Sequence, residues 1–370
     1  METANEIVQK DLNYICDNLR EEFTIMGGKS LLITGGAGFL GYYLVQSALH
    51  WNTRVGDSKK IRVTVFDNYI RGVPKWLMEL KNNTYLSLIT QNMIESLPSS
   101  IGNFQFIIHA AGIASPKYYR LHPIETMDAN ITGLRNLLDY SVKQRTNEKP
   151  VEGFLFYSSS EIYGDPNPEN IPTSEEYRGY VSCTGPRSCY DESKRYGETL
   201  CVNFSQQYSL PVKIARPFNN YGPGLKITDT RVLPDFARNI FSGNDIIMYS
   251  DGSPTRTFCY SADAIIGYYK ILVKGRPGES YNIGVEVPEI TMLEIAKKIT
   301  AIAHDLFAYK GSVKRGISGE SDYLVDNPNR RCPIITKARK ELGYNPTINL
   351  DEGLRRMMVW YHGNQEGEEA

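Results

Sequence analysis

An α/β fold built on a doubly wound parallel sheet, with a smaller C-terminal lobe, is predicted by three features of this 370-residue chain. Short apolar runs alternate with longer segments of helical periodicity through the first half and beyond. The first run ends in a glycine-rich turn, Gly35-Gly36-Ala37-Gly38-Phe39-Leu40-Gly41, that opens a helix. Past residue 217 the pattern loosens into Pro- and Gly-rich stretches such as Pro217–Leu225 and Gly252–Thr255, a composition shift that marks a second lobe.

Residues 1–28 carry mixed charge with Ile7, Leu12, Ile15, Leu19 and Phe23 near helical spacing, which predicts one amphipathic helical extension docked on the domain. Ser30–Thr34 is an apolar run of strand length, and Leu40–Leu49 reads as the helix that follows. Strands are predicted at Ile61–Phe66, Leu86–Thr90, Phe104–Ala110 and Phe154–Tyr157, with a long helix over Pro123–Lys143. Tyr190–Tyr208 predicts a helix and Val212–Ala215 a strand. Ile265–Leu272 returns to helical periodicity before the strand-like Tyr281–Gly284. This alternation predicts a Rossmann-type domain over 29–216, with helices on both faces of the sheet. Residues 217–362 are expected to form mainly a substrate-binding lobe, with 257–284 partly returning to the first domain. The acidic tail 363–370 is expected to be disordered.

Composition narrows the function classes. Lys plus Arg number 41 against 42 Asp plus Glu, so a net charge of −1 favours neither nucleic acid nor an anionic membrane surface as partner. Cys16, Cys183, Cys189, Cys201, Cys259 and Cys332 include no C-x-x-C pair, and the five histidines lack H-x-x-x-H spacing, so no metal site is expected. No stretch reaches the length of a membrane span, and Met1–Lys10 is charged and polar. A cytoplasmic protein with reduced thiols is the expectation.

The glycine turn follows a strand and opens a helix, where backbone N–H groups and the helix N-terminus can face a pyrophosphate. Asp67 closes the second strand, placed to accept hydrogen bonds from an adenosine ribose and to repel a 2′-phosphate, which favours NAD over NADP. Arg71 nearby keeps NADP open. Tyr190 and Lys194 are spaced i,i+4, which stacks a phenol and an ammonium on one helix face. The cation is expected to lower the pKa of the phenol so that it can serve as a base. A surface pair is the plain alternative in a chain with 25 tyrosines. Ser158-Ser159-Ser160-Glu161 lies where a sheet strand ends, the usual edge for a ligand site, although serines there also cap helices.

These motifs, in this order from about Lys29 to about Tyr361, resemble the extended short-chain dehydrogenase/reductase family of nucleotide-sugar epimerases, dehydratases and decarboxylases. The resemblance implies NAD held by Gly35, Gly38, Phe39, Leu40, Gly41, Asp67, Asn68, Asn92, Met93, Ala110, Ala111 and Gly112, together with Tyr190 and Lys194. It implies catalysis by Ser159, Tyr190 and Lys194, and a homodimer joined through helices around Pro123–Lys143 and Tyr190–Tyr208. Three stretches are most similar to the UDP-glucuronate decarboxylase branch. They are His109 to Pro116 with Tyr119, Gly185-Pro186-Arg187 through Asp191-Glu192 to Lys194-Arg195, and Asp229-Thr230-Arg231-Val232 before Phe236. The Ser160-Glu161 pair matches that branch, whereas dehydratases place Asp-Glu there and epimerases typically lack the Glu. Gly224, where decarboxylases usually carry Arg, and Asn92-Met93 depart from the pattern.

The resemblance implies oxidation of the sugar at C4 with Tyr190 as base and Ser159 on O4, then loss of carbon dioxide, with Glu161 and Ser160 managing the proton at C5. The nucleotide-sugar substrate is expected to meet Ser115, Tyr119, Asn219, Arg231 and Arg256. Arg330 and Arg331 are read as solvated surface residues that could add to the anchoring. A 4,6-dehydratase, a 4-epimerase and a catalytically silent NAD-binding sensor or scaffold are the other readings.

Overall fold

The structure, a computed structural model, describes residues 2–98, 100–316, 325 and 328–364. Short apolar runs joined by long connections pair as parallel strands: β1 (Ser30–Thr34), β2 (Arg62–Asp67), β3 (Leu86–Thr90), β4 (Phe106–His109), β5 (Gly153–Tyr157) and β6 (Val212–Pro217). The strand Ser280–Ile283 adds beyond β6, so the sheet reads Ser280–Ile283, β6, β5, β4, β1, β2, β3. Every residue of β4 and β5 is buried, as expected for strands covered on both faces. The order reverses between β1 and β4, where Thr34 lies opposite His109.

One face is covered by the helices Pro123–Thr146 and Ser188–Tyr208. Asn130 Nδ2 donates to Ser193 Oγ across them at 2.9 Å. Gly197 permits close seating on the sheet, since a Cβ there would lie 2.5 Å from the Phe156 ring. The other face carries α3 (Gly41–Asn52) and the helix Ser261–Lys274, tied by Tyr269 OH donating to the Leu44 carbonyl at 2.6 Å. Beyond β6 lie the helices Val232–Phe241, Met292–Phe307 and Leu350–Gly363. A small sheet joins Ile290–Thr291, Thr255–Arg256 and Arg330–Arg331.

The N-terminal segment differs from its single expected helix. It forms α1 (Ala4–Asn18) and α2 (Arg20–Met26), parted at Leu19 with φ −118° and ψ 20°. Leu19 is fully buried, and neither Gly nor Pro marks the break, so packing sets it rather than a local breaker. Thr3 and Glu6 close a capping box at the start of α1. Among the described residues no helix is long and apolar enough to cross a membrane, and no three His, Cys, Asp or Glu side chains cluster as metal ligands. Residues 365–370 of the acidic tail lie outside the described residues.

Candidate active site

The carboxyl ends of β1, β2, β4 and β5 meet at the point where the strand order reverses. Gly35 takes φ +71°, and its N–H donates to the Phe66 carbonyl at 2.7 Å. A Cβ at Gly35 would lie 2.7 Å from the Ala111 backbone, and one at Gly41 would lie 2.1 Å from the Gly36 carbonyl oxygen. Both positions therefore require glycine for space. Gly38 N–H donates to Gly35 O at 3.1 Å, and after Phe39 and Leu40 the helix α3 begins without a side-chain cap. Uncapped first-turn amides beside a glycine turn are a fitting cradle for a pyrophosphate.

Asp67 ends β2 with Oδ2 accepting from Ala37 N–H at 3.0 Å and Oδ1 from Tyr69 N–H at 2.9 Å. Burial raises its pKa against those bonds. Each oxygen keeps a further lone pair for a ribose hydroxyl. Asn68 closes a local turn by accepting from Ile70 N–H at 3.1 Å. Asn92 follows β3, and Met93 is buried against the helix Pro123–Thr146, where Asn136 Nδ2 donates to its carbonyl at 2.9 Å. Ala110 N–H donates to Thr34 O at 3.1 Å, which holds Ala110, Ala111 and Gly112 against the cradle.

Tyr190 and Lys194 occupy the first two turns of the helix Ser188–Tyr208, and Ser159 follows the end of β5. Lys194 Nζ donates to the Tyr157 carbonyl at 2.8 Å and lies 5.7 Å from the centre of the Tyr190 ring. Burial lowers the lysine to about 7. The phenol of Tyr190 is pushed up to about 12, first by burial, with the Ser159 hydroxyl working in the opposite direction. In the ligand-free site burial outweighs the groups that would lower the phenol, so it stands above its ordinary value. A desolvated ammonium, itself drawn toward neutrality, has little charge to lend. Tyr119 stacks on Tyr190 with ring centroids 5.1 Å apart and planes 14° apart.

Glu161 sits two residues beyond Ser159, its N–H donating to Ser159 Oγ at 3.2 Å. Its Oε2 accepts from Arg331 Nη2 at 2.8 Å and from Arg187 Nη2. Burial opposes the charge, yet Arg331 and Arg187 outweigh it and hold the carboxyl well below the usual range. Arg331 is 2% exposed and also donates to the Ser160 carbonyl at 2.9 Å, so it is a clamp and not a solvated surface residue. Arg330 pairs instead with Glu289, at 2.7 Å. The sequence reading left Arg331 as a surface residue that could add to the anchoring, and it gave Arg187 and Asp191 no role in the site. The signal for the last two was the stretch Gly185 to Arg195 that resembles the decarboxylase branch, with their i,i+4 spacing around Tyr190.

The remaining predicted residues fall in two groups. Ser115 Oγ, Tyr119 OH and Asn219 Nδ2 are buried without a hydrogen-bond partner among the described residues, as side chains awaiting a ligand are. Asn219 also takes φ +31°. Arg256 donates to the carbonyls of Thr255 at 2.7 Å, Pro328 at 2.6 Å and Asn329 at 3.1 Å. Burial, then the charge of Arg331, lowers it to about 10. Arg231 is within electrostatic reach of Tyr190. It is held by Asp229 at 2.9 Å and lies 5.6 Å from the Phe39 ring of the glycine turn. Gly224 has φ +89°, and a Cβ there would lie 2.4 Å from Tyr42, which explains why no arginine stands at that position.

The NAD dependent epimerase/dehydratase family model matches residues 31–284. UDP-glucuronic acid decarboxylase 5 of Arabidopsis thaliana is 33% identical over 339 residues, 92% of this chain and 91% of that protein. UDP-glucuronic acid decarboxylase 1 of Xenopus tropicalis is 33% identical over 341 residues, 91% of this chain and 73% of that protein. Among solved structures, a dTDP-glucose 4,6-dehydratase of Streptomyces venezuelae with NAD bound matches with a TM-score of 0.78 at 25% identity, covering 92% of this chain and 99% of that one. The chain belongs to the NAD dependent epimerase/dehydratase family.

Proposed function

We propose that this protein decarboxylates UDP-glucuronate through a 4-keto intermediate, with NAD recycled within the turnover. The observation that carries the reading is Glu161, half-buried and clamped by Arg331 and Arg187 two residues from Ser159, in a chain one third identical to UDP-glucuronic acid decarboxylases. Gly35, Gly38, Phe39, Leu40 and Gly41 would hold the pyrophosphate of NAD, Asp67 and Asn68 its ribose, and Asn92 and Met93 its adenine side. Ala110, Ala111 and Gly112 would wall the site, with Lys194 on the second ribose. When bound, NAD supplies a hydride acceptor and donor and a positive charge.

Tyr190 takes the proton from O4 of the sugar while Ser159 hydrogen-bonds the same oxygen. Oxidation at C4 makes the C5 carboxylate a β-keto acid, and loss of carbon dioxide leaves an electron pair on O4. Tyr190 and Ser159 stabilise that charge as it forms. Held ionised, Glu161 has no proton of its own to give; it fixes Arg187 and Arg331 and, with Ser160, orients the water that delivers the proton to C5, the hydroxide left behind taking up the proton that Tyr190 received from O4. Arg256 and Arg231 meet the diphosphate, and Ser115, Tyr119 and Asn219 fill their open valences on the sugar nucleotide. Residues 217–362 apart from 257–284 make up the lobe that presents most of these groups.

Mass spectrometry of the products tests the reading. With NAD present, UDP-glucuronate is expected to lose carbon dioxide, and neutral nucleotide hexoses to remain unchanged. Loss of water from a hexose would move the protein to the dehydratases, and an isobaric product separated by chromatography before the mass spectrometer to the epimerases. No reaction with any of them, NAD still binding, would favour a silent sensor or scaffold.

A homodimer is proposed on the outer face of the packed helices Pro123–Thr146 and Ser188–Tyr208. Ile124, Met127 and Tyr196 are exposed on these helices, Ile124 by 65% and Tyr196 by 50%, with Leu121 at the end of the preceding helix, apolar side chains suited to a second copy. Sedimentation is expected to give a dimer that Ile124→Lys dissociates; a wild-type monomer at working concentration would refute it.

A further inference from the structure

Two carboxyls stand at this site, and only one of them is fully paired. Asp191 follows Tyr190 on the helix and is 5% exposed. Its Oδ2 lies 3.5 Å from Arg187 Nε, while the terminal nitrogen of the same arginine bonds Glu161. Its Oδ1 is buried without a hydrogen-bond partner among the described residues. A buried carboxylate with an open oxygen and a single long ionic contact is poorly compensated, whereas Glu161 holds two guanidinium hydrogen bonds. Both guanidiniums are turned to Glu161, which leaves Asp191 as the carboxyl without a hydrogen bond and makes it the costlier of the two to ionise.

We propose that Asp191 and Glu161 work as a coupled pair bridged by Arg187, in which Glu161 keeps the charge and Asp191 takes up and releases the proton. Asp191 is then a positioning residue. It acts through Arg187, which turns fully to Glu161 when Asp191 is protonated and is divided when Asp191 is ionised. The groups facing Asp191 agree with this assignment. Glu161 comes from the turn after β5, Arg331 from the strand Arg330–Arg331, Tyr119 from the helix Pro116–Leu121, and Arg187, Tyr190 and Cys189 from its own helix start. Asn130, which faces this helix from Pro123–Thr146 through Ser193, is uncharged. Burial first, then the charge of Glu161, raises the Asp191 carboxyl against the pull of Arg187 and Arg331. Two neighbouring carboxyls driven in opposite directions are the pattern of a divided acid–base set.

The pairing deepens the decarboxylase reading and rests on it for its effect on turnover. An ionised Asp191 adds negative charge where an anionic sugar must settle, so kcat/KM for UDP-glucuronate is expected to fall by about tenfold per pH unit above the Asp191 titration. Asp191→Asn is expected to abolish that fall, and Asp191→Glu to restore it. Difference infrared spectroscopy on the ligand-free protein over about pH 5–9 reads the carboxyl directly, whatever the substrate. Apart from signals that Asp11, Asp67 and Asp263, also raised by burial, give in every variant, a protonated-carboxyl component should titrate there in the wild type, be lost in Asp191→Asn and move to lower pH in Glu161→Gln. If the band behaves so while UDP-glucuronate is not turned over, the pair stands and the substrate reading falls. A wild-type titration that is identical in Asp191→Asn overturns the pair. Should Asp191→Asn not fold, Glu161→Gln decides, because an unmoved band there also overturns it.

Discussion

Tyr190→Phe is expected to lower turnover by about 10²–10⁴-fold, the range for loss of a positioned general base, while NAD still binds. The substitution removes one oxygen and leaves the ring, so the stacking on Tyr119 at 5.1 Å persists. The Ser159 hydroxyl keeps the Glu161 N–H at 3.2 Å, and the turn that carries both stays in place. Stability should change by no more than about 1 kcal/mol, the net worth of one hydrogen bond. The size of the loss follows from the state of the phenol. At about 12 in the ligand-free protein it is almost wholly protonated at neutral pH, and the site must lower it before it can take the O4 proton. Phenylalanine cannot be so tuned. Steady-state assay beside a calorimetric NAD titration checks both halves, and wild-type turnover would mean that another group takes the proton.

The cofactor half was legible in the sequence because its demands are local. Gly35 and Gly41 are required by contacts within a few residues along the chain or across one strand, and the turn therefore announces itself between an apolar run and a helix. Asp67 is readable for the same reason, as the last residue of a strand that alternation already marks. The charged cluster was not legible in this way. Arg331 lies 170 residues from Glu161 in sequence, and nothing local to Arg330-Arg331 tells which of the pair is buried. The pairing of the strand Arg330–Arg331 with Thr255–Arg256 decides it, sending Arg331 inward to Glu161 and Arg330 to Glu289. The raised pKa of the ligand-free Tyr190 was not legible for a related reason. Spacing places Lys194 beside the ring, but only the fold shows that both groups are desolvated together. Leu19 parts α1 from α2 through tertiary burial that no local signal carries.

Asp11→Ala is expected to lower the unfolding free energy by about 3–5 kcal/mol, the cost of removing one partner from a buried ion pair. Asp11 is fully buried in α1, and its carboxylate accepts from Tyr43 OH, Tyr260 OH and Arg356 Nη1, each at 2.5 Å. Burial works against its charge and raises its pKa, while the two hydroxyls and the guanidinium work for it. Alanine strands all three donors in a dry interior, although Arg356 keeps Glu352 at 2.8 Å, which argues for the lower end of the range. The three partners belong to α3, to the start of the helix Ser261–Lys274 and to the helix Leu350–Gly363, so one carboxylate ties the N-terminal extension to segments from both ends of the chain. That makes the extension part of the folded core and not an appendage. An exposed pair gives the contrast: Lys298 and Asp351 meet at 2.6 Å with side chains 40% and 69% exposed, so Lys298→Ala should cost less than about 1 kcal/mol. Denaturant unfolding of the two variants side by side measures the difference. Equal, small losses would mean that α1 adds little to stability and that its buried carboxylate is only tolerated.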